Sequence, residues 1–220
     1  MKKLATILPI AFVIAMSCNN AAKTEEKSST DTSATAKDTT TKSTAAAPEP
    51  MPDSATMMKN WEAYMTPGPI HTLLAKQSGT WNSEVSMWMA PGAPPSTSKG
   101  TTTNKMTLGN RYQISNHKGT YNGMPFEGMS TLAYDNHKKV FESTWIDNFG
   151  TGIMHLQGPW DEASKTINLS GKMIDPTTKQ EMSVRETMKF VDDKNQVMEM
   201  FMVMPDGKEF KTMEIKYTRK

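Results

Sequence analysis

From Ser78 onward, apolar residues recur at every second position of the chain. Val85, Met87 and Met89 alternate with Glu84, Ser86 and Trp88, and Tyr112 and Ile114 alternate with Arg111, Gln113 and Ser115. Ile167, Leu169 and Met173 share a face, as do Met182, Val184, Met188 and Phe190. A period of two marks half-buried β-strands. Turn chemistry stands between the runs at Gly109-Asn110, Asn122-Gly123, Asp135-Asn136, Gly150 to Gly152, Asp161 to Ser164, Asp175-Pro176, Asp192-Asp193 and Asp206-Gly207. Spacings of roughly 10 to 15 residues leave no room for crossover helices, so the sheet must be antiparallel. About ten strands would expose two edges unless the sheet closes on itself. The expectation is therefore all-β: an antiparallel up-and-down barrel with a short N-terminal helical preface, a two-sheet sandwich being the alternative.

The preface shows the other period. Asp53 or Ser54 can cap a helix carrying Met57, Met58, Trp61, Tyr64 and Met65, which Thr66-Pro67-Gly68-Pro69 stops. A second helical turn is expected over Ile70 to Lys76, with Leu73 and Leu74 facing inward. One strand, Val197 to Met204, is apolar on both faces, with Met198, Met200, Met202 and Met204 on one and Val197, Phe201 and Val203 on the other. It should be covered twice, by the barrel interior and by the preface helix with Trp61 and Met65, or by an end-on version of that arrangement.

Ahead of the preface lies a different kind of sequence. Lys2 and Lys3, an apolar run from Leu4 to Met16 and small residues before Cys18 follow the three-part grammar of a secretory signal. The run falls short of the ~20 residues of a membrane span. Ala15-Met16-Ser17-Cys18 resembles a bacterial lipoprotein box, which implies cleavage before Cys18 and acylation, palmitate included, of that residue. More than one acyl chain gives stable anchoring. Asn19 to Pro52 is rich in Thr, Ser, Ala and Lys and has no aromatic residue, so it reads as a disordered tether spanning on the order of 30 Å. The expected organisation is a signal peptide over 1–17, lipidated Cys18 and tether over 18–52, preface over 53–77 and barrel over 78–220. The expected location is the bacterial cell envelope, on the outer rather than the inner membrane, with the domain in the periplasm or at the cell surface.

Charge and cysteine content narrow the classes further. Net charge is +2, and without Lys2 and Lys3 the 23 acidic residues face as many basic ones, with no basic cluster. A nucleic-acid partner is therefore not expected. Cys18 is the only cysteine, so no intrachain disulfide supports the fold.

Several blocks in one order resemble the domain of unknown function 1579 family: T-P-G-P-x-H at Thr66 to His71, G-T-W at Gly79 to Trp81, P-G-A-P-P at Pro91 to Pro95, G-M-P-F-E-G at Gly123 to Gly128, Y-D-N at Tyr134 to Asn136, S-T-W-I-D at Ser143 to Asp147, G-T-G at Gly150 to Gly152, and the run from Pro205 to Lys220. Asn110 stands where a second glycine is usual, and Trp160 interrupts a turn that is commonly simpler. The resemblance implies a lipocalin-like barrel in which Trp81 closes the floor and a late arginine, Arg219 by position, covers it. It implies no activity.

Candidate chemistry is sparse. Twenty methionines are a heavy load, and an interior lined by Met87, Trp145, Met173, Met188, Met200, Met202 and Met213 would adapt to an irregular apolar ligand. The same residues could equally fill a tight core, leaving a structural or interaction lipoprotein; Phe190 and Tyr217 are walls in one reading and packing in the other. Polar candidates for an enzyme, a hydrolase or isomerase, are Glu142, Asp147, His155 and Arg185, which would have to converge on one cleft. His71, His117, His137 and His155 show no metal-ligand spacing, and alternate methionines ~6.6 Å apart on a strand cannot share one Cu(I) without bending. No cofactor or metal is expected. No nucleophile elbow or phosphate loop appears, so the reading leans away from an enzyme. The expected partners are a membrane, through the lipid anchor, and a small apolar molecule; no protein partner can be named.

Overall fold

The computed structural model describes residues 50–176, 178–204 and 206–220. The signal peptide, Cys18 and nearly all of the tether fall on 1–49 and lie outside the described residues. Helix α1 (Ser54–Met65) starts where Asp53 Oδ1 accepts the Thr56 amide at 2.9 Å, which satisfies an N-terminal amide the helix itself leaves unpaired. Helix α2 (Pro69–Lys76) opens on a proline, and His71 Nδ1 accepts the Gly68 N–H at 3.1 Å. That bond gives the T-P-G-P-x-H block its purpose: the histidine fixes the start of α2. Burial lowers the His71 pKa, so the ring stays neutral and able to accept. Among the described residues no helix is long and apolar enough to cross a membrane.

The strands follow as β1 (Gly79–Met87), β2 (Ser96–Thr107), β3 (Tyr112–Tyr121), β4 (Met124–Asp135), β5 (Val140–Asp147), β6 (Met154–Gly158), β7 (Trp160–Asp161), β8 (Thr166–Ile174), β9 (Glu181–Phe190), β10 (Asn195–Val203) and β11 (Glu209–Arg219). Apart from β6 and β7, consecutive strands pair antiparallel, and β1 pairs with β11. The ring closes where β6 and β7 both pair with β8. His155↔Lys172 and Trp160↔Ile167 belong to one continuous register, so β6 and β7 are two halves of a single stave. Pro159, which has no N–H to give, splits them, while its carbonyl still accepts the Asn168 amide at 3.0 Å. The result is a closed antiparallel barrel of ten staves, as expected. Asn110 takes φ +63°, a left-handed conformation asparagine tolerates, so the missing glycine leaves the β2–β3 turn intact.

One end of the barrel is plugged. The last carbonyls of α2 and its exit lack their full set of helical partners, and side chains of the barrel floor donate to them. Gln113 Nε2 donates to Leu74 O, Asn104 Nδ2 and Trp81 Nε1 donate to Gln77 O, and Arg219 donates to Lys76 O and Ser78 O at 2.7 and 2.8 Å. Trp81 is fully buried with the Arg219 guanidinium 4.2 Å above its ring. Both roles implied for this pair by the resemblance hold. Leu74, Phe141, Ile167, Leu169, Val184 and Phe190 form the main core beside the plug, which places Phe190 in packing.

Two expectations change. On β3 the polar residues Gln113, Ser115 and His117 point inward, while Tyr112 is 38% exposed. The pairing of Gln113 with inward Leu132 and Met106 sets that register, overriding the apolar periodicity of one short strand. Helix α1 does not cover β10: Asn136 Nδ2 donates to Tyr64 O and Thr66 O, and Arg111 Nε donates to Met65 O, which pins its C-terminus over the β2–β5 end. Trp61 stays 62% exposed. The outer face of β10 is instead covered by Arg185, whose guanidinium lies 4.0 Å from the Phe201 ring and binds Glu209 through two hydrogen bonds.

Candidate functional site

The four polar candidates do not converge. Glu142 and His155 both point outward, on adjacent strands where Glu142 pairs with Gln157 and Thr144 with His155. They line one outer recess of about 360 Å³ with Thr131, Ser143 and Ser170. Glu142 is already held by Lys138 at 2.6 Å. Arg185 lies on the outside of β9 in its pair with Glu209, and Asp147 ends β5, accepting from Trp145 Nε1 at 2.7 Å and from the Phe149 and Gly150 amides. No acid–base pair forms among them. A second recess of about 310 Å³ lies between α1 and the β2–β5 end, beside Trp61, His71 and Arg111.

The lumen is the more distinctive place. Pairings Met87↔Met213, Met213↔Met200, Met202↔Val184, Met188↔Met198 and Trp145↔Met154 carry one inward face round the ring, and it holds every methionine and tryptophan named as a lining candidate, Met173 included. A ten-stave ring tilted as barrels are is roughly 20 Å across between backbones, wider than opposing side chains fill. Met188, Met200, Met202, Met213, Ile215 and Trp145 accordingly keep part of their surface exposed although they point inward, whereas the residues at the plug are sealed. The interior is thus sealed at the α2 end by the plug and the core packed beside it.

One wall near the mouth is aromatic. Trp145 lies against Gly128, where a Cβ would come within 2.6 Å of its ring, and stacks on Phe126 with centroids 6.2 Å apart. His117 packs T-shaped against Trp145 with ring centroids 5.0 Å apart. Its Nδ1 is 2.9 Å from Thr102 Oγ1 and its Nε2 3.4 Å from Ser130 Oγ. Burial pulls its pKa down to about 4, so the imidazole is neutral at physiological pH.

The opposite wall carries a carboxyl. Glu186 points inward from β9 between Leu169 on β8 and Met200 on β10. Protein surrounds it on all sides, yet part of its surface faces the internal space, and it has no hydrogen-bond or ion-pair partner among the described residues. Desolvation raises its pKa to about 7. Its charge adds to burial in raising the pKa of the Tyr217 phenol on β11. The sequence did signal this residue: Met182, Val184, Met188 and Phe190 alternate on one face, and Glu186 occupies the place between them that should be apolar. His117 carries no such signal, because the apolar alternation of its strand, Tyr112 and Ile114, lies on the opposite face.

A family model described as "Protein of unknown function (DUF1579)" matches residues 66–219. The chain belongs to the DUF1579 family. The DUF1579 match begins at Thr66, so the α2 plug and the whole barrel lie inside it and α1 lies outside. The crystal structure of Rv2717c from M. tuberculosis is similar to this chain with a TM-score of 0.53 at 12% identity, over 70% of this chain and 99% of that one, a likeness of fold. A redesigned β-barrel, b11L5F_LGL, aligns over 67% of this chain and 94% of its own at 11% identity, with a TM-score of 0.37, too low to bear on the fold. No protein with a curated description matches.

Glu186 sets a pH dependence for this DUF1579 barrel. Its folded pKa lies above the unfolded 4.5, so its contribution is complete below pH 4.5 and is lost as pH rises to about 7. Partial contact with lumen water reduces the effect to about 2 kcal/mol. Glu186→Gln, neutral at every pH, should therefore exceed the parent protein in stability by about 2 kcal/mol more at pH 7.5 than at pH 4.5, read by urea denaturation. His117, which loses stability as pH falls from 6.5 to about 4, contributes equally to both proteins and cancels. Parallel stability curves for the two proteins would show that Glu186 is solvated like a surface carboxylate.

Proposed function

We propose that this protein is a lipid-anchored barrel of the bacterial envelope that binds a small apolar molecule in its lumen. The observation that carries the reading is the partly exposed inward surface of methionine and aromatic side chains above a sealed floor. Thioether side chains are flexible and polarizable, so the lining suits a ligand of irregular apolar shape rather than one recognised by many hydrogen bonds. Anchoring rests on the sequence from Met1 to Cys18, and the tether would hold the domain clear of the membrane surface.

Two experiments test the two halves. Native mass spectrometry of the protein purified from cells without detergent should show an added mass of a few hundred daltons, or acquire one after incubation with a cell lipid extract; a bare mass in both cases would refute binding. Cys18→Ala should abolish palmitate labelling and move the protein from the membrane to the soluble fraction. A variant that keeps its label and stays with the membrane would refute the anchor.

A further inference from the structure

We propose that the lumen takes a cationic amphiphile, its apolar tail against the methionines and its protonated amine on the Glu186 carboxylate. This rests on the binding reading above and names the ligand's chemistry. The argument starts from the inventory of charge in the lumen. Among the described residues the inward positions carry two carboxylates, Glu186 and Asp147, and one permanent cation, Arg219. Arg219 is spent on the floor, where its guanidinium donates to three carbonyls and covers Trp81. Every lysine on the strands points outward or ends in a surface ion pair, such as Lys211 with Glu199 and Glu214. Away from the floor, the inward positions of the described residues therefore carry carboxylates and no cation.

Glu186 is the unmatched member. Asp147 is satisfied by an indole N–H and two backbone amides, whereas Glu186 has no partner among the described residues and sits among Leu169, Met200 and Met188. A buried carboxyl left alone is costly, and a ligand that supplies the missing charge recovers that cost on binding. The opposite wall suits the same ligand. The rows of paired residues running both ways from Glu186 lead to Ser96 near the mouth and to Tyr134 near the plug, which brings the middle of β3, at His117, opposite Glu186. There the faces of Trp145 and Phe126 attract cations, and His117 is neutral and does not repel one. An alkyl carboxylate of equal length would meet two like charges and no free cation.

A pH dependence follows. The groups facing Glu186 are apolar on β8 and β10, the Tyr217 phenol on β11 and neutral His117 across the lumen; its chain neighbours Arg185 and Thr187 point outward. Amine binding should strengthen as pH rises through about 7, where Glu186 gives up its proton.

The test is isothermal titration of the full-length protein, at pH 7.5 and below micellar concentrations, with dodecylammonium, dodecanol and dodecanoate, three probes sharing one tail. Dodecylammonium is expected to bind about tenfold or more tighter than dodecanoate, and Glu186→Gln to weaken the amine about tenfold. Dodecanol binding should stay unchanged in that variant, which also reports that its lumen is folded. Equal affinity for amine and carboxylate, or an amine affinity indifferent to Glu186→Gln, would overturn the cationic assignment and leave apolar binding standing. Failure of all three probes to bind would overturn both.

Discussion

Trp81→Ala is expected to lower the unfolding free energy by about 3 to 5 kcal/mol, the range for removing a buried indole. The side chain has no exposure and packs on Met198 and Tyr217, so its loss opens a cavity at the barrel floor. It also frees the Gln77 carbonyl from one of its two side-chain donors. Above it, the Arg219 guanidinium ties Asp193 in the β9–β10 turn, Lys76 at the end of α2 and Ser78 at the start of β1 into one knot. Arg219→Lys should be nearly as damaging as Arg219→Ala, because a single ammonium cannot reach three carbonyls and stack on the ring at once. A double-mutant cycle between the two positions should give a coupling of about 1 to 2 kcal/mol, since both act on the same joint. Chemical denaturation decides it: a Trp81→Ala protein within about 1 kcal/mol of the parent would mean that the plug, not the pair, holds the floor.

Gly158→Ala should cost about 3 kcal/mol or more, the upper end of what overpacking does. A Cβ there would stand 1.8 Å from the Asn168 carbonyl oxygen and 3.2 Å from the Leu169 Cα, both backbone atoms of the neighbouring strand that no side-chain rotation can move. The position also matters for topology. It lies just before Pro159, where the β6–β7 stave bends and the ring closes on β8. Forcing the two strands apart there exposes unpaired edges, so aggregation should accompany the lower melting temperature, which drops by roughly 10 °C for a domain of this size. Gly152→Ala is the control: nothing lies within 4 Å of its added Cβ, and its stability should match the parent. Equal melting temperatures for Gly158→Ala and Gly152→Ala would show that the closure is loose.

The two positions mark different kinds of legibility. Trp81 and Arg219 were legible through the family resemblance, which implies a G-x-W tryptophan at the floor and a late arginine over it. Gly158 was not, because a glycine is demanded there by what the next strand brings against it. The lining candidates belong with the first kind: period two assigns alternate residues to one face without any knowledge of neighbours. Glu142 and His155 belong with the second, since their strands' pairing turns both outward, away from the lumen.

What the sequence by itself determined was therefore local and periodic: two short helices, ten staves, their turns, the antiparallel order and the run of methionines on common faces. Alternation and turn chemistry are properties of a few adjacent residues, so they survive without a third dimension. Only the tertiary structure decided which face is inside, because register is set across strands and a shift of one residue reverses every side chain. That decision put Gln113, Ser115 and His117 in the lumen, left α1 exposed over the β2–β5 end, and placed Glu186 opposite an aromatic wall with no charge to meet it. A lone acidic residue in an apolar alternation is a signal in the sequence, but its isolation is a fact about every strand around it.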